Sequence, residues 1–252
     1  MPGRILPSLP CAVSRRVPVP VSFRPTLRAP FSSTAQACSS SSDFSDADKL
    51  ATGLQKNKEW ASKYPEQFPG LAKGQQPEIL WIGCSDSRCP ETTILGLNPG
   101  DVFVHRNIAN IVHHADLNSA CVIEFAVAHL KVKHIVVSGH TACGGINAAL
   151  GNSKLGILDT WLLPLRNLRQ KNIEALQSLD PQQAVIKLSE LNVLDGVQKL
   201  KQLGVVIDAI ETRGLQVHGV VYDVATGLLR TLNAADESHE ATKARLTAFK
   251  TA

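Results

Sequence analysis

Nothing in this 252-residue chain approaches a run of 18 apolar residues, so no membrane-spanning helix is expected. Residues 1–42 contain no Asp, Glu or Lys, although Arg4, Arg15, Arg16, Arg24 and Arg28 all lie there. Taking those five from 26 basic residues leaves 21 against 22 acidic ones. The rest of the chain is therefore near neutral, without the charge footprint of a nucleic-acid binder. No Cys-x-x-Cys pair occurs, which argues against a thiol-redox centre and a zinc knuckle, and no His-x-Glu supports a zinc deaminase. Of six cysteines, Cys11 and Cys38 lie in residues 1–42 and Cys84 and Cys143 in the motifs described below; the remaining Cys89 and Cys121 are too few for a disulfide framework and fit a reducing compartment. No internal repeat is evident.

The N-terminal stretch is rich in Ser and Pro as well as arginine, the composition of an organelle-targeting presequence. Its prolines and arginines interrupt any secretory h-region. The arginine content favours a mitochondrion over a plastid; a disordered tail on a cytoplasmic protein is the competing reading. The domain expected to fold is residues 43–252, and 44% hydrophobic content suffices for one substantial core.

Two short motifs carry chemistry: Cys84-Ser85-Asp86-Ser87-Arg88 and His140-Thr141-Ala142-Cys143-Gly144-Gly145. Each follows an apolar run expected to be a buried strand, Ile79–Gly83 and Ile135–Gly139. Two thiolates and one imidazole are a usual three-ligand set for catalytic zinc, with the fourth tetrahedral position left to water. Residues just past the carboxyl ends of neighbouring parallel strands converge on one crevice. A solvent-open site for one Zn2+ per chain is the expectation, bound by Cys84, His140 and Cys143. Such a centre has about zero net charge and acidifies water less than a three-histidine site, so neighbouring groups must help. Arg88 can hold Asp86 by a bidentate pair, and Asp86 can then orient a zinc-bound hydroxide. An ordinary loop salt bridge is the plainer alternative for that pair.

Strands alternating with helices predict an α/β domain with a mainly parallel sheet flanked by helices. Asp43–Tyr64 is expected to be helical, capped by Asp43 or Ser45. Further strands are expected at Glu78–Gly83, Asp101–Val104, His134–Gly139 and Gln216–Asp223, with an edge strand at Gly227–Leu232. Asn118–Leu130 is expected to be one amphipathic helix, and Leu158–Leu203 two helices divided at Asp180-Pro181. A helix opening at Gly144 turns its positive end toward the Cys143 thiolate. Cys121 is expected to be a buried small hydrophobe. Cys89 is expected to be inert packing, or an oxidation-sensitive thiol near the metal. Among the remaining histidines, His113 and His114 are the better candidates for passing protons to buffer.

Together with Gly74-Gln75-Gln76-Pro77, Pro90-Glu91, the segment Pro99–Asn110 and Val217–Asp223, the two motifs resemble the β-class carbonic anhydrases. The resemblance runs from roughly Asp43 to Leu232. It implies reversible hydration of carbon dioxide to bicarbonate and a proton, and strand order 2-1-3-4. It also implies an N-terminal helical arm that embraces a second subunit in a homodimer or a larger assembly such as a tetramer. Gln75, Phe103, Ile108, Phe125 and Gly144 are the substrate-binding positions it implies. Trp81, Arg106 and Tyr222 match a non-catalytic bicarbonate pocket found in some members, with Gly83 a further mark of that subgroup. In those members the carboxylate corresponding to Asp86 takes the open metal position in a closed state. At Cys89, where the family commonly has an aliphatic residue, the chain departs from pattern. A relative acting on carbonyl sulfide or carbon disulfide is the nearest alternative. A non-catalytic protein stabilised by zinc, with Asp86 as fourth ligand, is the alternative from another class.

Overall fold

The computed structural model describes residues 48–233; the expected presequence and the caps expected at Asp43 or Ser45 lie outside them. Among the described residues, 48–56 fall in one compact unit and 57–233 in another. Helix α1, Lys49–Lys63, begins in the first and ends in the second. Asp48 Oδ1 caps it by accepting from Leu50 N at 2.8 Å. The helix buries none of its residues, and its apolar Leu50 and Leu54 are exposed.

In the second unit, Trp60 meets Phe68 edge-on at 5.2 Å, at the short helix α2, Phe68–Leu71. The chain then alternates strands with helices: β1 Ile79–Cys84, α3 Glu91–Leu95, β2 Val102–Asn107, α4 Leu117–Glu124 and β3 His134–His140. Helices α5 Gly144–Leu150, α6 Ile157–Trp161, α7 Leu163–Lys171, α8 Ile173–Gln177, α9 Pro181–Leu200 and α10 Gly204–Arg213 follow. Strands β4, Gln216–Asp223, and β5, Leu228–Leu232, complete a sheet of order β2-β1-β3-β4-β5. The first three pairings are parallel and β5 is antiparallel to β4. The expected order 2-1-3-4 and the edge strand are both present. Because β1 lies between β2 and β3, the chain reverses its direction of travel across the sheet there, and a crevice opens beyond the carboxyl ends of β1 and β3.

One face of the sheet presents Leu80, Ile82, Ile135 and Val137 to Val193, Val197 and Leu200 of α9 and Val206 of α10, all buried. Helix α9 comes close because β3 and β4 offer Gly139 and Gly219: a Cβ on either would stand 2.8 Å from Val193. Asp180 starts α9 by accepting from Gln182 N and Gln183 N, with Pro181 in the first turn. A second cluster, including Cys84, Cys143, Ile111, Ile146, Leu165 and Leu188, surrounds the strand ends.

Strand β2 runs past its expected end at Val104, to Asn107, and three details of the helices also differ from the sequence expectations. Asn118–Leu130 is not a single α-helix: a wide π turn, Phe125–His129, follows α4, and Leu130 N reaches back to Phe125 O. Cys121 is exposed, not buried. It shares its face, at spacings of four, with exposed Leu117 and Phe125, whereas Ser119, Ile123, Ala126 and Val127 face inward. The segment before Asp180 breaks into three short helices instead of one.

Candidate active site

Strand β1 ends at Cys84 and β3 at His140, and both registers are fixed by the parallel ladder. Beyond Cys84 the chain turns sharply, held by Arg106 of β2. Its Nε donates to Cys84 O at 2.8 Å and its Nη2 to Asp86 O at 2.6 Å. Asp86 is thereby presented to Arg88. The guanidinium grips both carboxylate oxygens, Nε to Oδ1 at 2.9 Å and Nη2 to Oδ2 at 2.7 Å, while Arg88 N adds a bond to Oδ1 at 3.0 Å. Arg88 Nη2 also donates to Ala142 O at 3.1 Å, tying the first motif to the second.

The ligand atoms of Cys84, His140 and Cys143 lie within 4.8 Å of one another, and all three residues are buried. Cys84 Sγ and Cys143 Sγ are 3.9 Å apart. Two thiolates each at about 2.3 Å from a tetrahedral zinc stand about 3.8 Å apart, so the spacing suits that ion. The His140 tautomer suits it too. Nδ1 lies 2.9 Å from Thr141 O, which can only accept, so Nδ1 carries the proton. Nε2 is buried without a hydrogen-bond partner, its lone pair free for a cation. Asp86 Oδ2 stands 3.9 Å from that nitrogen.

Charge balance makes the same case. The Cys84 thiol is pulled down to about 4, by its contact with Cys143 first, with His140 and the amides of Asp86 and Ala109 assisting against burial. The same contact, reinforced by burial, pushes Cys143 up. Burial pulls His140 down, but the contacts with Cys84 and Cys89 prevail and raise it to about 10. A divalent cation lets both thiolates ionise beside a neutral histidine. Asp86 is held well below the usual carboxylate range, chiefly by Arg88.

A family model described as carbonic anhydrase matches residues 79–229, a span that contains both motifs, strands β1 to β4 and the start of β5. The chain belongs to the β-class carbonic anhydrases. It is an enzyme of the carbonate dehydratase class. The carbonic anhydrase of Emericella nidulans is 48% identical over 188 residues, covering 71% of this chain and 82% of that protein. The crystal structure of the β-carbonic anhydrase CafA of Aspergillus fumigatus superposes with a TM-score of 0.77 at 63% identity, over 81% of this chain and 100% of that one. A structure from Sordaria macrospora, one of two described as tetrameric β-carbonic anhydrases, gives a TM-score of 0.71 at 53% identity, over 73% and 96%.

The other positions carried over from the family fall as follows. Gly144 lines a cavity of about 810 Å³ beside the dyad, together with Arg88, Ala142, Pro181, Ile186 and Asp223. Phe103 and Phe125 are partners, ring centroids 5.8 Å apart, with Phe125 44% exposed. Ile108 is 42% exposed, and Gln75 is exposed in the loop before β1. Trp81 is buried, and its indole nitrogen occupies the space a Cβ on Gly83 would need, 2.5 Å away. His113 and His114 line a different cavity, with Pro164, Lys171, Asp195 and Lys199.

Several supporting residues were beyond sequence reasoning. Thr141 Oγ1 donates to Asp223 Oδ1 at 3.1 Å and accepts from Val224 N at 3.0 Å, anchoring the second motif to the end of β4. Arg106 was legible only as an anion ligand, not as the clamp on Cys84 and Asp86. In both cases the partners are distant in sequence, and no motif spacing joins them.

Proposed function

We propose that this enzyme hydrates carbon dioxide reversibly to bicarbonate and a proton, using one zinc ion held by Cys84, His140 and Cys143. The observation that carries this reading is the buried, partnerless Nε2 of His140 facing two cysteine sulfurs at tetrahedral spacing. Zinc bound there supplies a Lewis acid that brings the ionisation of a coordinated water toward neutral pH. Asp86 stays ionised throughout the working range because Arg88 holds it so. It is therefore a fixed acceptor beside the metal position, one that orients a proton donor without carrying the proton away. Arg88, bonded at once to Asp86 and to Ala142 O, keeps that acceptor in register with the second motif. Carbon dioxide has no charge to grip; Ile108, Phe103 and Phe125 offer it an apolar wall, with Gln75 and Gly144 as the polar contacts.

A homodimer, or a tetramer built from dimers, is the assembly this reading favours. An amphipathic helix that buries none of its own residues, and half-exposed Phe125 and Ile108 at the site, both suit coverage by a second copy. Residues 1–42 are proposed to direct the chain to mitochondria, on their arginine-rich, acid-free composition.

Stopped-flow hydration of carbon dioxide by protein lacking residues 1–42, with zinc quantified on the same sample, tests the central reading. Turnover should scale with bound zinc. Stoichiometric zinc without hydration would leave a metal-stabilised protein in its place, and turnover of carbonyl sulfide or carbon disulfide instead would shift the substrate.

A further inference from the structure

Ala109 adopts a left-handed backbone conformation, φ 62°, ψ 26°, within the turn Ile108–Asn110, and Asn110 follows at φ 47°. Side-chain-bearing residues are disfavoured there and persist only where their surroundings determine them. Three side chains do so. Asn107 brackets the turn, Oδ1 accepting from Ile111 N at 2.8 Å and Nδ2 donating to Ile111 O at 3.0 Å. Trp161 Nε1 donates to Ile108 O at 2.9 Å. Asn192, buried in α9, donates Nδ2 to Ala109 O at 2.8 Å. The result of this conformation is that Ala109 N–H points at Cys84 Sγ, 3.3 Å away. The carbonyl taken by Asn192 and the amide given to Cys84 flank the same α-carbon, so fixing one at this φ and ψ aims the other.

We propose that Asn192 is a positioning residue for the metal centre: through the left-handed Ala109 it aims a backbone N–H at the Cys84 sulfur and so sets that sulfur's strength as a metal ligand. A hydrogen bond to a ligating thiolate fixes its orientation and withdraws part of its charge, and outer contacts of this kind typically change metal affinity about 10–100-fold. The side chain is suited to the task because an amide donates without bringing charge into the core. Helix α9 is suited to hold it, being already seated on β3 and β4 by Gly139 and Gly219. This inference rests on the zinc reading above.

The test uses zinc-free Asn192→Ala and Asn192→Asp proteins, titrated with zinc against a chromophoric chelator and separately loaded with cobalt(II). Asn192→Asp keeps the shape but offers Ala109 O a second acceptor in place of a donor. Both variants should bind zinc about tenfold or more weakly, and the sulfur-to-cobalt charge-transfer band should move. Asn192→Ser covers the case in which Asn192→Ala does not fold. A residue that only packs would lower the unfolding temperature of the zinc-free protein while leaving affinity and band at parental values; that pattern in the folded variants overturns the proposal. A parent protein that binds no zinc would instead remove the metal reading beneath it.

Discussion

Arg88 meets Asp86 fork to fork, with both carboxylate oxygens engaged within 2.9 Å. Arg88 is nearly half exposed, so solvent screens the contact and its stability is discounted; its value lies chiefly in orientation. Asp86→Ala should therefore retain zinc and lose turnover by about 10²–10⁴-fold, the usual worth of a positioned proton acceptor. Arg88→Ala should follow it in direction. Metal content and stopped-flow rates on the same preparations check both, and hydration at the parental rate in Asp86→Ala would reduce the pair to a loop contact.

Cys84→Ser and Cys143→Ser should lose zinc and hydration together, because a neutral hydroxyl replaces a thiolate in a site built to balance two negative sulfurs. Zinc analysis after gel filtration is the measurement. Full metallation of either variant would contradict the assignment of the ligands.

How much of this was legible in the sequence follows from distance along the chain. Cys84 with Asp86 and Arg88, and His140 with Cys143, are local patterns at strand ends, and their chemistry needs only spacing. Gln216–Asp223 was bounded correctly because its apolar run is closed on both sides by polar residues. Cys121 was misplaced because its neighbours Val122, Ile123 and Ala126 set it in an apolar pattern, while the fold turns the side carrying Ile123 and Ala126 inward and Cys121 outward. Val102–Asn107 runs three residues past the expected end because its polar His105, Arg106 and Asn107 are recruited by β1 and by the site. Contacts such as Asn192 with Ala109, 83 residues apart, leave no trace in spacing at all.

Acid should weaken the zinc-free protein partly through Asp86. Arg88 depresses its folded-state pKa, against burial. The unfolded chain thus binds that proton more readily, so the contribution is full above the unfolded value of about 3.9 and is lost as pH falls through the folded value. Urea midpoints of zinc-free parent and Asp86→Asn, followed downward from about pH 5, should converge as the medium becomes more acid. Parallel curves would mean that the pair carries no linked stability.

Fused to a fluorescent passenger, residues 1–42 should carry it to mitochondria, and their removal should leave hydration unchanged. A passenger that stays in the cytosol overturns the targeting proposal alone. Lost activity on truncation would mean that the segment takes part in the fold or the assembly.

The sheet face opposite α9 carries Trp81, Arg106 and Tyr222. Side chains paired across parallel strands share a face, and the registers Gly83 to Arg106 and His140 to Tyr222 put Trp81, Arg106 and Tyr222 on the same one as His140. An anion bound there would take hydrogen bonds from the Trp81 indole and the Tyr222 hydroxyl and a charge from Arg106. Arg106 is already committed: it faces Glu91 at 3.7 Å and clamps the carbonyls of Cys84 and Asp86. A bicarbonate ion competing for that guanidinium would loosen the turn in which Arg88 holds Asp86, whose Oδ2 already stands 3.9 Å from the open nitrogen of His140. The anion shifts the balance only by its greater affinity for the loosened state. Inhibition by bicarbonate should accordingly be cooperative, stronger at low pH, and relieved in Tyr222→Phe and Trp81→Phe. Initial rates against bicarbonate concentration decide it: simple non-cooperative inhibition, identical in parent and both variants, would leave Arg106 a structural clamp and nothing more.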